Sequence, residues 1–198
     1  MSTITNLSLK VPAGYASREV GLFLAQMDDQ SRRLHETTRD ITPDELAWQS
    51  SPGMNTIGML LTHVAIVETW WVNVVLKGNP DLPIDPVLGI GVDDDGMPVP
   101  EGGLPPANLA AKPIAYFDDL LARARRYLKD SSTGIADAEL EREIERSRPD
   151  GSKRLINVRW FYYHLLEHFA GHFGQILMLR HLYRTVREGA TERVAAKA

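Results

Sequence analysis

Residues 158–187 read VRWFYYHLLEHFAGHFGQILMLRHLYRTVR, and this stretch carries the clearest helical pattern in the chain. Apolar and aromatic residues recur in it at steps of three and four, as they do on one face of an α-helix. The row comprises Val158, Tyr162, Leu165, Phe169, His172, Ile176, Leu179, Tyr183 and Val186. The pattern therefore predicts a helix from about Asn157 to Arg187 that packs against other helices and carries one histidine in its apolar row.

Three more segments have the same periodicity and predict the other helices of a bundle. They run from about Ser17 to Arg39, from Asn55 to near Gly78, and from Pro113 to about Lys129. A short helix is predicted before the second of them, because Thr42-Pro-Asp-Glu45 is a capping box with proline at the first helical position. Residues 78–108 are rich in proline and glycine and include the acidic run Asp93-Asp94-Asp95. We therefore expect an all-α four-helix bundle with a long crossover connection between helices 2 and 3.

The rest of the chain is consistent with one domain. A length of 198 residues favours a single domain over two. We place its core at about residues 15–187 and expect a frayed tail over 189–198. Pro149-Asp-Gly-Ser152 is a turn signal, and its flanks are expected to pair as a short β-hairpin.

Composition excludes several classes of function. The net charge is −4, without the basic stripe of a nucleic-acid-binding protein, so we expect no nucleic-acid partner. The chain has no cysteine, which excludes disulfides, a cysteine nucleophile and thiolate metal ligands. The most apolar window, Ile57 to Leu76, is interrupted by polar residues including His63 and Glu68, which argues against a membrane span. We expect a cytoplasmic protein.

The histidines are the candidate metal ligands. His168 and His172 are four residues apart, so on a helix both rings lie on one face. This is the spacing at which two histidines of one helix bind the same metal ion. His63, on the predicted second helix, can supply a third nitrogen from a facing helix. Three protein ligands and an open position are typical of a catalytic metal site. The alternative for each is a neutral, hydrogen-bonded histidine of the interior.

Other polar residues near this pair have weaker support. Gln175 is one heptad beyond His168 and is a candidate to contact a ligand or a substrate. Glu167 is a candidate base, although it does not fall on the ligand face. His164 lies about 80° around the helix from His172 and is expected at the surface or beside the ligands. The sequence identifies no catalytic acid or base.

The chain resembles the DinB-like superfamily of metalloenzymes, which includes thiol-dependent S-transferases and mycothiol-dependent isomerases. The similarity rests on Asn55-Thr-Ile-Gly58 leading into Leu61-Thr-His63, and on His168-Phe-Ala-Gly-His172-Phe-Gly-Gln-Ile176. It extends from about Ser17 to Arg184. The resemblance implies that His63, His168 and His172 bind one divalent metal. It also implies a basic residue after the last ligand, where this chain has Phe173.

These observations lead to one favoured function and two alternatives. The favoured function is a metal-dependent thiol S-transferase that activates a low-molecular-weight thiol for transfer to a small electrophile. The alternatives are a hydrolase that uses a metal-bound hydroxide and a non-catalytic bundle that binds a metal or a partner. Three nitrogen donors suit zinc, nickel, iron or copper, and among these divalent transition metals we expect zinc or nickel. We also expect a small-molecule substrate and a homodimer.

Overall fold

Helix α3 (Ile57–Val75) is the central helix of the fold, because it packs against both of the long helices that follow it. The structure is a computed structural model that describes residues 7–99, 101–147 and 150–195, with the side chains of the last helix described through Arg187. In this part of the chain the other long helices are α1 (Arg18–Thr38), α5 (Ile114–Ser132) and α6 (Val158–Ala195). The shorter elements are α2 (Pro43–Ala47), α4 (Asp85–Leu88), a 3₁₀ helix (Asp137–Glu141), and strands β1 (Glu143–Ser147) and β2 (Lys153–Asn157).

The expected all-α four-helix bundle with a crossover between its second and third long helices is confirmed. Helix α1 packs on α5 and α6, and α3 packs on α5 and α6, so the four long helices enclose the larger of two clusters of buried apolar residues. Helix α3 is long and apolar enough to cross a membrane by length and composition, but most of its residues are buried inside the bundle. Its apolar character is therefore that of a core helix.

Helix caps explain where two of the elements begin. The Thr42 hydroxyl accepts a hydrogen bond from the Glu45 amide, as the capping box predicts, and α2 follows it. The expected cap of α3 was wrong by one residue. Thr56, not Asn55, has the extended backbone of an N-cap, and its hydroxyl accepts from the Met59 amide.

Several boundaries differ from the sequence prediction. Helix α3 ends at Val75, whereas α5 continues to Ser132. Helix α6 continues to Ala195, beyond the expected end at Arg187, and residues 196–198 of the expected frayed tail lie outside the described residues. The crossover also contains the single turn α4, which the sequence pattern did not predict.

The apolar row of α6 is shifted from the predicted one around the site. Phe169, Phe173 and Ile176 are buried, whereas His172 is only half-buried. The prediction that His172 occupies the centre of the buried row was therefore wrong, and Phe173 packs there instead. The last residue of the predicted row, Val186, is 56% exposed. His172 is less buried than predicted because the face of α6 that carries the histidines borders a groove between α6 and α3.

The crossover is tied to the bundle at both ends. The Asn73 side chain donates to the carbonyl of Leu82, which holds the start of the crossover against α3. Near its other end, the carbonyl of Gly103 accepts from the Gly53 amide and from the Gln49 side chain. These contacts position the loop that contains the acidic run beside the amino-terminal half of α3.

The expected hairpin is present and leads directly into α6. Strands β1 and β2 pair antiparallel, with Ile144 opposite Ile156. Ile156 is buried and Ile144 packs on the core, so this face of the hairpin covers the bundle. The amide of Val158, the first residue of α6, donates to the carbonyl of Arg142. Pro149 of the predicted turn lies outside the described residues.

Candidate metal centre

Three imidazoles from two helices meet in the groove between α3 and α6. His168 and His172 lie on successive turns of α6, and His63 faces them from α3. The Nε2 atom of His168 is 3.3 Å from Nε2 of His63 and 3.0 Å from Nε2 of His172. One nitrogen from each residue lies within 4.8 Å of the others. The structure thus brings together the three histidines that the sequence selected, and we call them the histidine triad.

In two triad members, Nδ1, the ring nitrogen that points away from the triad, lies within hydrogen-bonding distance of an acceptor. His63 Nδ1 lies 2.6 Å from Oδ2 of Asp95, and because a carboxylate only accepts, the proton is on Nδ1. His172 Nδ1 lies 2.7 Å from Oε1 of Gln175. In both cases Nε2 is left with a free lone pair that points into the triad. This arrangement, with Nδ1–H bound to an acceptor, is typical of histidines that ligate metals.

Sequence reasoning missed Asp95. Its side chain is 4% exposed, and its other carboxylate oxygen accepts a hydrogen bond from the amide of Met97. Glycine at position 96 has a φ of +66°, and a Cβ there would overlap the ring of Pro106, so the loop turns tightly just after Asp95. The acidic run in the crossover was visible, but its contact with His63 spans 32 residues and has no local periodicity.

Burial and the neighbouring imidazoles lower the pKa values of the two triad members on α6. Burial, together with the nearby imidazoles of His172 and His63, lowers the pKa of His168 to about 3. Burial also lowers the pKa of His172. Near neutral pH His168 and His172 therefore present uncharged nitrogen lone pairs, the form that binds metal ions.

The spacing of the nitrogens fits a metal ion. Two nitrogens bound to one tetrahedral zinc at about 2.05 Å lie about 3.3 Å from each other. The observed Nε2 separations of 3.0 Å and 3.3 Å are close to this value. With the third separation within 4.8 Å, the three nitrogens are close enough to bind one shared cation, and the triad can hold a metal.

The remaining predicted site residues lie at different places. Gln175 is exposed but contacts His172, as described above. Glu167 is exposed, and its carboxylate lies 3.8 Å from Nδ1 of His164 rather than beside the triad. The half-buried ring of His164 lies 5.9 Å from that of His168, between centroids. Burial lowers the pKa of His164 as well. The structure thus places Gln175 and His164 next to the triad and Glu167 outside it.

The groove continues on both sides of the triad. On the side of Gln175, a cleft of about 210 Å³ is lined mainly by apolar side chains. They include Met54, Leu60, Met178, Leu179 and Leu182. On the other side, Trp160 stacks on His164 with ring centroids 4.6 Å apart. The triad therefore lies between this apolar cleft and an aromatic cluster formed by Trp70, Trp71, Trp160 and His164.

Phe173 takes no direct part in the site. Its ring is 6% exposed and faces α1, where the guanidinium of Arg33 lies 5.8 Å from the ring centroid. A basic side chain at position 173 would have had to leave this packed position. The residue after His172 therefore packs in the interior and offers no cation to the triad.

Comparison with known proteins identifies the family. A family model described as "MST: Mycothiol-S-transferase" matches residues 22–185, most of the chain. The chain belongs to the mycothiol-S-transferase family. This is a DinB-like family, so the resemblance seen in the histidine motifs is confirmed. Membership indicates a function of the thiol S-transferase type and a small-molecule substrate.

Two further comparisons concern solved structures and curated proteins. The chain is similar to a solved structure described as the conserved protein of locus from Enterococcus faecalis, with a TM-score of 0.60 and 16% sequence identity. The match covers 81% of this chain and 94% of that one, and at this identity it shows the fold alone. A search of curated proteins gave no significant match.

Proposed function

We propose that the protein binds one divalent transition metal ion, zinc or nickel, through His63, His168 and His172 and acts as a thiol S-transferase. The observation that carries the proposal is the convergence of three Nε2 atoms, with two outer nitrogens already hydrogen-bonded to Asp95 and Gln175. Membership of the mycothiol-S-transferase family supports the type of reaction. The absence of cysteine is consistent with a thiol that arrives as a co-substrate.

The residues of the chain have separable tasks in this proposal. Three neutral imidazoles leave the charge of a divalent ion uncompensated, so the bound ion would lower the pKa of a low-molecular-weight thiol and supply a thiolate nucleophile. Asp95 keeps the proton of His63 on Nδ1 and therefore keeps Nε2 available. The cleft beside Gln175 offers apolar contacts for a small electrophile. The described residues show no unpaired carboxylate beside the triad, so the structure gives the hydrolase alternative no added support.

The first test measures the metal. Untagged protein is analysed by inductively coupled plasma mass spectrometry, together with His63→Ala and His168→Ala. The control is His181→Ala, which removes an exposed histidine of α6, the helix that also carries His168. We expect about one transition-metal ion per chain in the wild type and the control, and none in the two triad variants. A wild type that stays metal-free after incubation with zinc or nickel would rule out the site.

The second test measures turnover. Metal-loaded protein is incubated with a panel of low-molecular-weight thiols and a chromogenic small electrophile, with and without chelator. Thioether formation that is lost with chelator and restored by metal supports the transferase. Ester hydrolysis without a thiol requirement would favour the hydrolase, and metal binding without either activity would favour the non-catalytic bundle.

The proposal includes a homodimer in the cytoplasm, where low-molecular-weight thiols are kept reduced. Several large apolar side chains of α6 are exposed and available for an interface between two copies. They are Leu177, Met178, Leu182 and Val186. Light scattering coupled to size-exclusion chromatography should give twice the chain mass, and Val186→Glu, which lies outside the cleft, should shift it to the monomer. A wild-type monomer at micromolar concentration would contradict the dimer.

A further inference from the structure

The two faces of the hairpin carry different charge patterns. On the outer face, Lys153 forms an ion pair with Glu145, with Nζ 2.6 Å from Oε1. On the face that also carries Ile144 and Ile156 toward the bundle, Arg146 lies directly opposite Arg154. Like charges directly opposite each other in an antiparallel pair destabilise it. The inner face thus holds two cations together although the chain as a whole is acidic.

The charge of these two arginines is not neutralised within the described residues. The guanidinium of Arg146 lies over two indoles, 4.6 Å from the ring centroid of Trp70 and 5.0 Å from that of Trp71. Neither Arg146 nor Arg154 forms an ion pair with any carboxylate in the part of the chain that the structure describes. Burial lowers the pKa of Arg146, whereas acidic partners raise that of the buried Arg125. A half-buried guanidinium on indole faces, with an exposed arginine directly opposite on the paired strand, is suited to bidentate binding of a carboxylate.

The pair lies at one end of the groove that contains the histidine triad. Trp71 contacts Trp160 and His164, with ring centroids 5.6 Å and 5.2 Å apart, and His164 in turn contacts His168. Trp71 follows His63 by eight residues on α3, which corresponds to about 12 Å along the helix. The Arg146 guanidinium lies a further 5.0 Å from the ring centroid of Trp71, so an anion held at the arginines would extend from there along the aromatic cluster toward the triad.

We propose that Arg146 and Arg154, with the indole of Trp70, form a binding site for the carboxylate of a small organic acid whose apolar part lies along the aromatic cluster toward the triad. The connection to the triad rests on the function proposed above, whereas carboxylate binding at the arginines does not. The site assigns a charge and a polarity to one substrate of the transferase: an organic acid with an aromatic or unsaturated body. A carboxylate there also removes the repulsion between the two guanidinium groups.

The experiment titrates the full-length protein with 3-phenylpropionate and, separately, with the uncharged 3-phenylpropionamide. Binding is followed by the quenching of tryptophan fluorescence, since three of the four tryptophans lie in the aromatic cluster. Wild-type protein should bind the acid about tenfold or more tightly than the amide. The preference should disappear in Arg146→Ala and in Arg154→Glu, and persist in Lys153→Ala, which removes a cation from the outer face of the same strand.

The variants also separate binding from folding. Arg154→Glu places an acid opposite Arg146, so the melting temperature should stay or rise while acid binding is lost. Equal binding of acid and amide by the wild type, or an unchanged acid preference in both arginine variants, would overturn the proposal. An acid preference that is lost in His168→Ala but kept in Arg146→Ala would place the carboxylate on the metal, overturning this proposal and leaving the proposed function intact.

Discussion

Two of the polar clusters beside α3 are built in opposite ways. At Glu68, the carboxylate accepts from Nε and Nη2 of Arg125 at 2.8 Å and 3.0 Å, and the third nitrogen of the guanidinium donates to Ser31. Glu68 and Arg125 are 4% and 7% exposed. Five residues earlier on the same helix, His63 faces two other imidazoles through nitrogen lone pairs. In the Glu68–Arg125 cluster the donors and acceptors pair with each other. The histidine triad instead consists of nitrogen acceptors that face one another and can bind an added cation.

The difference shows how to distinguish a structural polar cluster from a binding site in this bundle. A buried ion pair with complementary partners leaves no donor or acceptor for a ligand, so its removal affects folding. A cluster of like groups, held in place by second partners such as Asp95, contributes little to folding and is arranged for an ion. The following predictions test this contrast.

The largest expected effect is on stability and follows from breaking the ion pair. Glu68→Gln leaves Arg125 charged and buried without its bidentate partner, so the free energy of unfolding should fall by about 3 kcal/mol. His168→Ala should change the stability of the metal-free protein by only about 1 kcal/mol, because the ring is half-buried and faces other imidazoles. Urea unfolding of chelator-treated protein measures both.

Glu36→Gln serves as the control for the first prediction. Glu36 pairs with Arg32 at the surface of α1, so its loss should cost less than about 0.5 kcal/mol. Equal losses of stability in Glu68→Gln and His168→Ala would show that the two clusters have the same structural role, and the contrast drawn above would be wrong.

The next effect is on metal affinity. Asp95→Asn replaces an acceptor with a group that can donate to Nδ1 of His63, which moves the ring proton to Nε2 and removes the lone pair from the triad. Zinc affinity, measured by competition with a chelating dye, should fall about 10- to 100-fold, while stability changes little. Asp93→Asn alters an exposed acid of the same loop and should leave the affinity unchanged. An affinity that stays at the wild-type level in Asp95→Asn would show that Asp95 does not orient His63.

The last effect, which is absent at neutral pH, is on the pH dependence of stability. The pKa of His168 falls from its ordinary value of 6.5 to about 3 in the folded protein. Between these values the unfolded chain binds more protons than the folded one, so the metal-free protein should lose stability as the pH drops from about 6.5 toward 3. His172 has a lowered pKa for the same reason and adds to this slope. The slope of unfolding free energy against pH reports the difference in bound protons between the unfolded and folded states, and in His168→Ala this difference should decrease by up to about one proton. An unchanged slope would indicate that His168 is solvated and protonated in the folded protein.

The sequence by itself determined the elements that depend on neighbours along the chain. The apolar row of residues 158–187, the capping box at Thr42 and the turn before Ser152 predicted α6, α2 and the hairpin, because helical and strand periodicities are local. The spacing of His168 and His172 placed two rings on successive turns for the same reason. Helix register also selected His63, although only a facing helix could bring it to the pair.

The tertiary structure decided everything that joins distant segments. It buried Phe173 instead of His172, since the path of α3 and not the α6 pattern sets which side of α6 faces the groove. It brought Asp95 from the crossover to His63, and Arg146 from the hairpin to Trp70 and Trp71. Such contacts have no period in the sequence, because loop closure and strand register, not helix geometry, determine which side chains meet.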